Sequence, residues 1–215
     1  MKPNLEGIRT DYGKETLSKS SAGKTPFHLF GKWLNEALGN TDVLDANAFV
    51  LSTVDQQGFP KGRIVLLRSI ENGKLVFFTN FESEKGKELG HNPKAAACFF
   101  WPQLERQIRV VGKVQKITDA ESDAYFKSRP RGSKIGAWAS HQSQEIPNRE
   151  ALDKAVSALE TKFGENEIPR PEFWGGYAID PIQFEFWQGR NSRLHDRIEF
   201  EKSEKNAWKI CRLSP

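Results

Sequence analysis

A chain of 215 residues with 37% hydrophobic and 28% charged residues has the size and mixture of a water-soluble globular fold. Its net charge of +4 is mildly basic, which fits plain solubility or an anionic ligand and leaves the choice to where the charges fall. Two cysteines, Cys98 and Cys211, stand far apart in apolar runs, so buried thiols are expected rather than a disulfide framework or a zinc site.

Residues 1–24 are polar and rich in Ser, Gly and Lys, and read as a flexible arm ahead of a single domain over 25–215. They contain no apolar signal segment, and no later run approaches a membrane span, so a cytoplasmic protein is expected. The stretch "TPFHLFGKWLNEALG" predicts a helix capped by Thr25, with Pro26 in its first turn and Phe27, Phe30, Leu34, Ala37 and Leu38 on one face. Five β-rich runs follow: "AFVLSTVD", "GRIVLLRSI", "KLVFFTN", "AAACFFW" and "RQIRVVGKVQKI". Most connections are too short for parallel crossovers, so an antiparallel barrel or sandwich is expected. "TDAESDAYFKSRP" opens on a capping box, Thr118 with Glu121, and "NREALDKAVSALETKFG" runs from an Asn148 cap to Gly164. Strands return in "GGYAI", "IQFEFWQG", "RLHDRIEF" and "AWKICRL", giving a mainly β fold with flanking helices.

Positive charge gathers in four places. In "RLHDR", an extended strand puts Arg193, His195 and Arg197 on one face, where they repel unless an anion lies among them. A solvated edge strand is the plainer alternative. In "RIVLLR", Arg63 and Arg68 fall on opposite faces and serve different partners, or are ordinary strand-end charges. In "SEKGKEL", Lys85 and Lys87 begin a short helix, a place that attracts phosphate, although a solvated helix face explains them as well. In "YFKSRPRGSKIG", Tyr125, Arg129 and Ser133 recur every four residues across Pro130; at a helix-to-helix corner they converge into a phosphate-binding set, and otherwise they form a basic loop. The chain has no P-loop, dinucleotide fingerprint, nucleophile elbow or zinc-protease motif, and its four scattered histidines suggest no metal site.

Taken in order, "RIVLLR", "FFTNFESEKGKEL", "LERQIRVVGKV", "YFKSRPRGSKIGAWAS-HQS", "FWGGY", "EFWQGRNSRLHDR" and "WKICRLSP" resemble the pyridoxamine 5′-phosphate oxidase family from about Ile8 to the C-terminus. The resemblance implies an antiparallel FMN-binding split β-barrel and a homodimer with FMN at the subunit interface. It also implies oxidation of pyridoxamine or pyridoxine 5′-phosphate to pyridoxal 5′-phosphate, with O2 reduced to H2O2. By resemblance, Arg63, Ile64, Val65, Leu66, Leu67, Arg68, Phe78, Thr79, Lys85 and Gln107 contact FMN, and Gln142, Ser143, Trp187 and Arg197 complete that site. Tyr125, Arg129 and Ser133 match the substrate-phosphate set, with Arg68 where the family uses a substrate-binding lysine. Arg193 and His195 match the catalytic groups over the substrate ring, and Arg9 and Tyr12 a segment that covers the site.

Two positions depart from the family pattern. Arg68 keeps the usual lysine's charge but has a wider, flatter head. Glu84 replaces an arginine beside Lys85, and a carboxylate facing an FMN phosphate would repel it. The alternatives are a related flavoprotein acting on another substrate of phenazine type, or a basic β-barrel that stacks single-stranded nucleic acid. Neither nucleic acid nor membrane is the expected partner.

Overall fold

The computed structural model describes residues 11–215, so Arg9 lies outside the described residues. Six α-helices and nine β-strands are found among them: α1 (Lys19–Ala22), α2 (Pro26–Gly39), β1 (Ala48–Val54), β2 (Pro60–Leu66), β3 (Ser69–Glu71), β4 (Lys74–Asn80), α3 (Glu84–His91), β5 (Lys94–Trp101), β6 (Arg106–Lys116), α4 (Asp119–Ser128), α5 (Arg131–Ala139), α6 (Arg149–Phe163), β7 (Trp174–Gln188), β8 (Asp196–Lys202) and β9 (Trp208–Leu213). The strands follow the order β2-β1-β5-β6-β7-β4-β3, with β8 on β7 and β9 on β8. The β3–β4, β4–β7, β7–β8 and β8–β9 pairs are antiparallel. No described helix is long and apolar enough to cross a membrane.

Residues 25–215, expected as one domain, fall into two compact units, and β1, β5, β6 and β7 contribute to both. The first unit takes its described residues from 11–49, 97–111 and 182–215. Its core is aromatic: Phe30 meets Phe99 and Phe184 edge-on, with centroids 5.3 and 6.1 Å apart, and Trp33 meets Phe186 at 5.5 Å. α2 is rotated from the face predicted for it. It buries Pro26, Leu29, Phe30, Trp33 and Ala37, while Leu38 is 60% exposed. Trp33 directs this choice, because its ring packs on Phe186 and lies beneath the Arg106 guanidinium at 4.6 Å.

Residues 11–24, counted with the arm by composition, make specific contacts. Leu17 and Ala22 are buried, Ser18 caps α1 by accepting from the Ser21 N–H, and the Leu17 N–H donates to Asp196 Oδ2 at 3.0 Å. Two small apolar residues in a polar stretch hold this segment, too few for composition to reveal.

The second unit comprises Val50–Ala96 and Gly112–Pro181. Pro130 divides the helical run as its missing N–H dictates, ending α4 at Ser128 and starting α5 at Arg131. The capping box at Thr118 and Glu121 forms, and Asn148 caps α6 by accepting from the Ala151 N–H at 2.9 Å. β4 and β7 pair with Phe78 opposite Gly176. A Cβ at Gly176 would lie 2.3 Å from Ile117 and 2.9 Å from the Phe78 ring, so glycine is what lets that ring settle there.

Candidate active site

A cavity of about 460 Å³ opens in the second unit. One wall is the end of β2, Ile64 to Leu66, followed by Arg68. Phe78, Thr79 and Asn80 of β4 and Lys85 of α3 form another. The corner between α4 and α5 supplies Tyr125, Arg129 and Ser133, and Ser140, Gln142 and Trp174 complete the lining.

Flat rings build its interior. Phe78 stacks on Tyr125 with centroids 3.8 Å apart and planes 15° apart, and on Trp174 at 5.4 Å and 13°. The Arg129 guanidinium lies over Trp174 at 4.6 Å, and Arg68 approaches the Tyr125 ring at 5.9 Å. Arg129 Nη1 is buried and has no hydrogen-bond partner among the described residues. Burial holds the Arg129 pKa below its ordinary value; the Tyr125 hydroxyl opposes this and the charge of Arg68 adds to it. A guanidinium with an unused N–H, beside two hydroxyl side chains, is a receptor for a phosphate ester.

Lys85 is a second cationic point in the same cavity, only 8% exposed. Its Nζ donates to Ser83 Oγ and Gln142 Oε1, both at 3.2 Å, and Thr79 Oγ1 donates to the same Gln142 oxygen at 3.4 Å. Burial and the charge of Arg63 lower the Lys85 pKa. An anion bound at this point opposes both effects and favours the ammonium form. Glu84, the departure beside it, turns outward: it is 55% exposed and pairs with Lys61 at 3.1 Å. Among the described residues no carboxylate lines the cavity.

The "RLHDR" stretch lies in the first unit and is not a strand throughout. Asn191–Arg193 form a 3-10 turn in which Ser192 and Arg193 have left-handed φ of 56° and 61°, and β8 starts only at Asp196. Local hydrogen bonds replace the expected alternation. The Arg190 N–H donates to His195 Nδ1 at 3.1 Å, and Arg190 Nη1 pairs with Asp196 at 3.0 Å. His195 packs on Trp187 at 4.6 Å, and Tyr12 meets both rings edge-on at 5.7 and 5.8 Å. Arg197 Nε donates to Glu185 Oε1 at 2.8 Å, and its Nη1 reaches the Ser214 carbonyl. Burial, then the charge of Arg193, lowers the His195 pKa. An imidazole accepting at Nδ1 carries its proton on Nε2 and offers that N–H as a donor.

Of the residues singled out by sequence, Ile64, Val65, Leu66, Arg68, Phe78, Thr79, Lys85, Tyr125, Arg129, Ser133 and Gln142 meet in one cavity. Arg63, Leu67 and Ser143 belong to the same unit but do not line it, while Tyr12, Gln107, Trp187, Arg193, His195 and Arg197 belong to the first unit. Sequence reasoning assigned no role to Trp174, Asn80 or Ser140 in the lining. It also passed over Glu88 and Glu185, buried carboxylates paired with Arg63 and with Arg109 and Arg197. Glu185 carried one signal, an acidic residue inside an apolar run, whereas Glu88 stands among other helix charges and carried none.

Comparison with known proteins bears on the same residues. Residues 40–163 match the family model described as pyridoxamine 5′-phosphate oxidase, and 174–215 match the pyridoxine 5′-phosphate oxidase C-terminal dimerisation region. The chain is 49% identical over 211 residues to a pyridoxine/pyridoxamine 5′-phosphate oxidase of Cupriavidus taiwanensis, covering 98% of this chain and 99% of the relative. It is 47% identical over 216 residues to the oxidase of the same name from Cytophaga hutchinsonii, covering 100% of both. Among solved structures, PhzG from Burkholderia lata, in complex with tetrahydrophenazine-1-carboxylic acid, superposes with a TM-score of 0.86 at 29% identity, covering 94% of this chain and 98% of that one. A pyridoxamine 5′-phosphate oxidase-related, FMN-binding protein from Nostoc punctiforme shares the fold at a TM-score of 0.72 and 18% identity, covering 90% of this chain and 100% of that one. The antiparallel split barrel expected from the sequence is the fold of this chain, and the chain belongs to the pyridoxine/pyridoxamine 5′-phosphate oxidase family of oxidoreductases.

Proposed function

We propose that the protein is an FMN-dependent oxidase that converts pyridoxine or pyridoxamine 5′-phosphate to pyridoxal 5′-phosphate in the cytoplasm, as a homodimer. The observation that carries this reading is the pairing of two separate cationic receptors, Lys85 and Arg129, in one ring-lined cavity. The reaction needs two phosphate esters held at once, one on the flavin and one on the vitamer. Lys85, Thr79 and Gln142 fit the first, and Arg129, Tyr125 and Ser133 fit the second. Family membership and the 47–49% identical relatives named for this activity support the assignment.

FMN, when bound, supplies the two-electron acceptor and the link to dioxygen. The residues of this chain bind and orient. Arg129 and Ser133 fix the vitamer phosphate, and Arg68 occupies the position of the second substrate cation. Arg193 and His195 orient the vitamer ring, with His195 donating from Nε2 to an oxygen substituent on that ring. Gln107, Ser143, Trp187 and Arg197 complete the flavin site in the dimer, with Arg63 and residues 64–68 along its other side. The C4′ carbon of the alcohol then gives up a hydride equivalent and its hydroxyl gives up a proton. Pyridoxine phosphate and O2 give pyridoxal phosphate and H2O2; the amine consumes one water as well and releases ammonia. Holding the reacting carbon in place is the main contribution of the protein.

The resemblance to PhzG favours a second reading, oxidation of a phenazine precursor by the same fold. A carboxylate offers the Arg129 corner two oxygens where a phosphate ester offers three, and so makes less use of Tyr125 and Ser133 beside it. The deciding assay supplies each substrate class aerobically and measures product and H2O2 together. Equimolar pyridoxal phosphate and H2O2 support the first reading; turnover of the phenazine precursor alone overturns it.

A further inference from the structure

Glu88 lies three residues beyond Lys85 on α3 and is 5% exposed. A carboxylate so far from water has to be paired. Its Oε2 accepts from Thr53 Oγ1 and from Arg63 Nη2, the latter at 3.0 Å. Thr53 Oγ1 also accepts from Arg63 Nη1, so side chains from β1, β2 and α3 close a ring. The Lys61 carbonyl takes a further bond from Arg63 Nη1 at 3.2 Å. Glu88 Oε1 is buried and has no hydrogen-bond partner among the described residues.

One cation pairs with this buried carboxylate and a second stands on the same helix. Arg63 touches it directly, and Lys85 sits one helical turn away on the same face. The partners of the Lys85 ammonium, Ser83 and Gln142, are neutral. Of the charged groups around Lys85, Arg63 on β2 disfavours its proton, whereas Glu88 and, more weakly, Glu84 on α3 favour it. Glu84 is itself committed to Lys61 at the surface.

We propose that Glu88 is a positioning residue for the anion-binding end of the cavity: its carboxylate fixes the Arg63 guanidinium between β2 and α3 and supplies the counter-charge for the Lys85 ammonium. The identity of the anion, the FMN phosphate, rests on the function proposed above. A purely structural ion pair would hold α3 against β2 without affecting how Lys85 titrates.

The test compares FMN with riboflavin, which lacks the phosphate, by quenching of flavin fluorescence on the apoprotein between pH 7 and 9. In the wild type, FMN affinity is nearly flat. Glu88→Gln keeps the size and an acceptor for Arg63 and Thr53 but removes the charge. Its FMN Kd is expected to rise by about tenfold across the range, as the Lys85 ammonium without that counter-charge loses its proton at lower pH. Riboflavin binding stays flat in both proteins and serves as the folding control. Adding Lys85→Arg to Glu88→Gln should remove the slope, because a guanidinium does not titrate in this range. Glu88→Asp, which keeps the charge but withdraws it, should bind FMN more weakly at every pH without a slope. A Glu88→Gln profile as flat as the wild type's, a slope that survives Lys85→Arg, or equal losses for FMN and riboflavin would each overturn the proposal. A wild type that binds FMN no better than riboflavin overturns the flavin-phosphate reading itself, and this inference with it.

Discussion

Arg129→Ala separates substrate binding from chemistry. The side chain lines the cavity, keeps a buried Nη1 with no hydrogen-bond partner among the described residues, and packs its guanidinium on Trp174 at 4.6 Å and Phe126 at 5.5 Å. A charge-assisted hydrogen bond contributes about 1.5–3 kcal/mol, so a two-bond grip on a phosphate contributes about 3 kcal/mol at the lower end. Losing it should raise the KM for pyridoxamine phosphate by about a hundredfold. Folding stability should move little. The lost cation–π contact, about 0.5–2 kcal/mol, is offset by relief of an unsatisfied buried donor that costs about 1–3 kcal/mol. The assay is steady-state kinetics with the phosphorylated vitamer, alongside Tm and the bound-flavin spectrum. The variant should show a raised KM with kcat reduced far less, flavin retained and Tm nearly unchanged. An unaltered KM, or loss of flavin with KM intact, would refute the assignment of Arg129 to the substrate phosphate.

Four further outcomes follow from the geometry. Arg193→Ala should lower kcat/KM sharply while the protein stays yellow; unchanged activity would remove Arg193 from the site. The pH profile carries a signature of His195, because burial and Arg193 favour its neutral form. Protonation breaks the bond from the Arg190 N–H, so kcat/KM should fall as pH drops through a value below the ordinary histidine pKa of about 6.5. In Arg193→Ala that limb should move to higher pH, and a limb that stays in place contradicts the role. Glu84→Ala should change FMN affinity by less than about threefold, since it breaks only an exposed pair with Lys61; a large gain in affinity would mean the carboxylate does face the phosphate. Gly86→Ala would put a Cβ 2.2 Å from the Phe81 carbonyl oxygen. That overpacking costs about 1–3 kcal/mol and exceeds the usual helix gain of about 0.5–1 kcal/mol. A Tm loss of at least about 2 °C with weaker FMN binding is expected, because α3 carries Lys85.

The parts of the fold legible in the sequence were those with local causes. The Thr118 capping box, the Asn148 cap and the break at Pro130 each act within a few residues, and all appear where the sequence puts them. The Pro130 corner is also why Tyr125, Arg129 and Ser133 converge: a continuous helix would have aligned them in a row, and the break folds that row around a cavity. What was hidden depended on distant partners. α2 turned because Trp33 found Phe186 and Arg106, residues far along the chain. "RLHDR" departed from alternation because Ser192 and Arg193 adopt left-handed backbone, which no periodicity signals. Glu88 looked like one more helix charge, and only its closure with Thr53 and Arg63 reveals it as buried. The outward turn of Glu84 likewise needed Lys61, on a strand the sequence could not place beside it.

The central claim is that this cavity holds a flavin and a phosphorylated vitamer together. Anaerobic titration of the purified protein with pyridoxamine phosphate, followed through the visible flavin absorption, tests it most directly. The protein should be yellow, bleach on addition of the vitamer and recover its colour when air is admitted, with pyridoxal phosphate formed in proportion. A colourless protein that takes up no FMN, or a yellow one that the vitamer leaves unbleached, would contradict it.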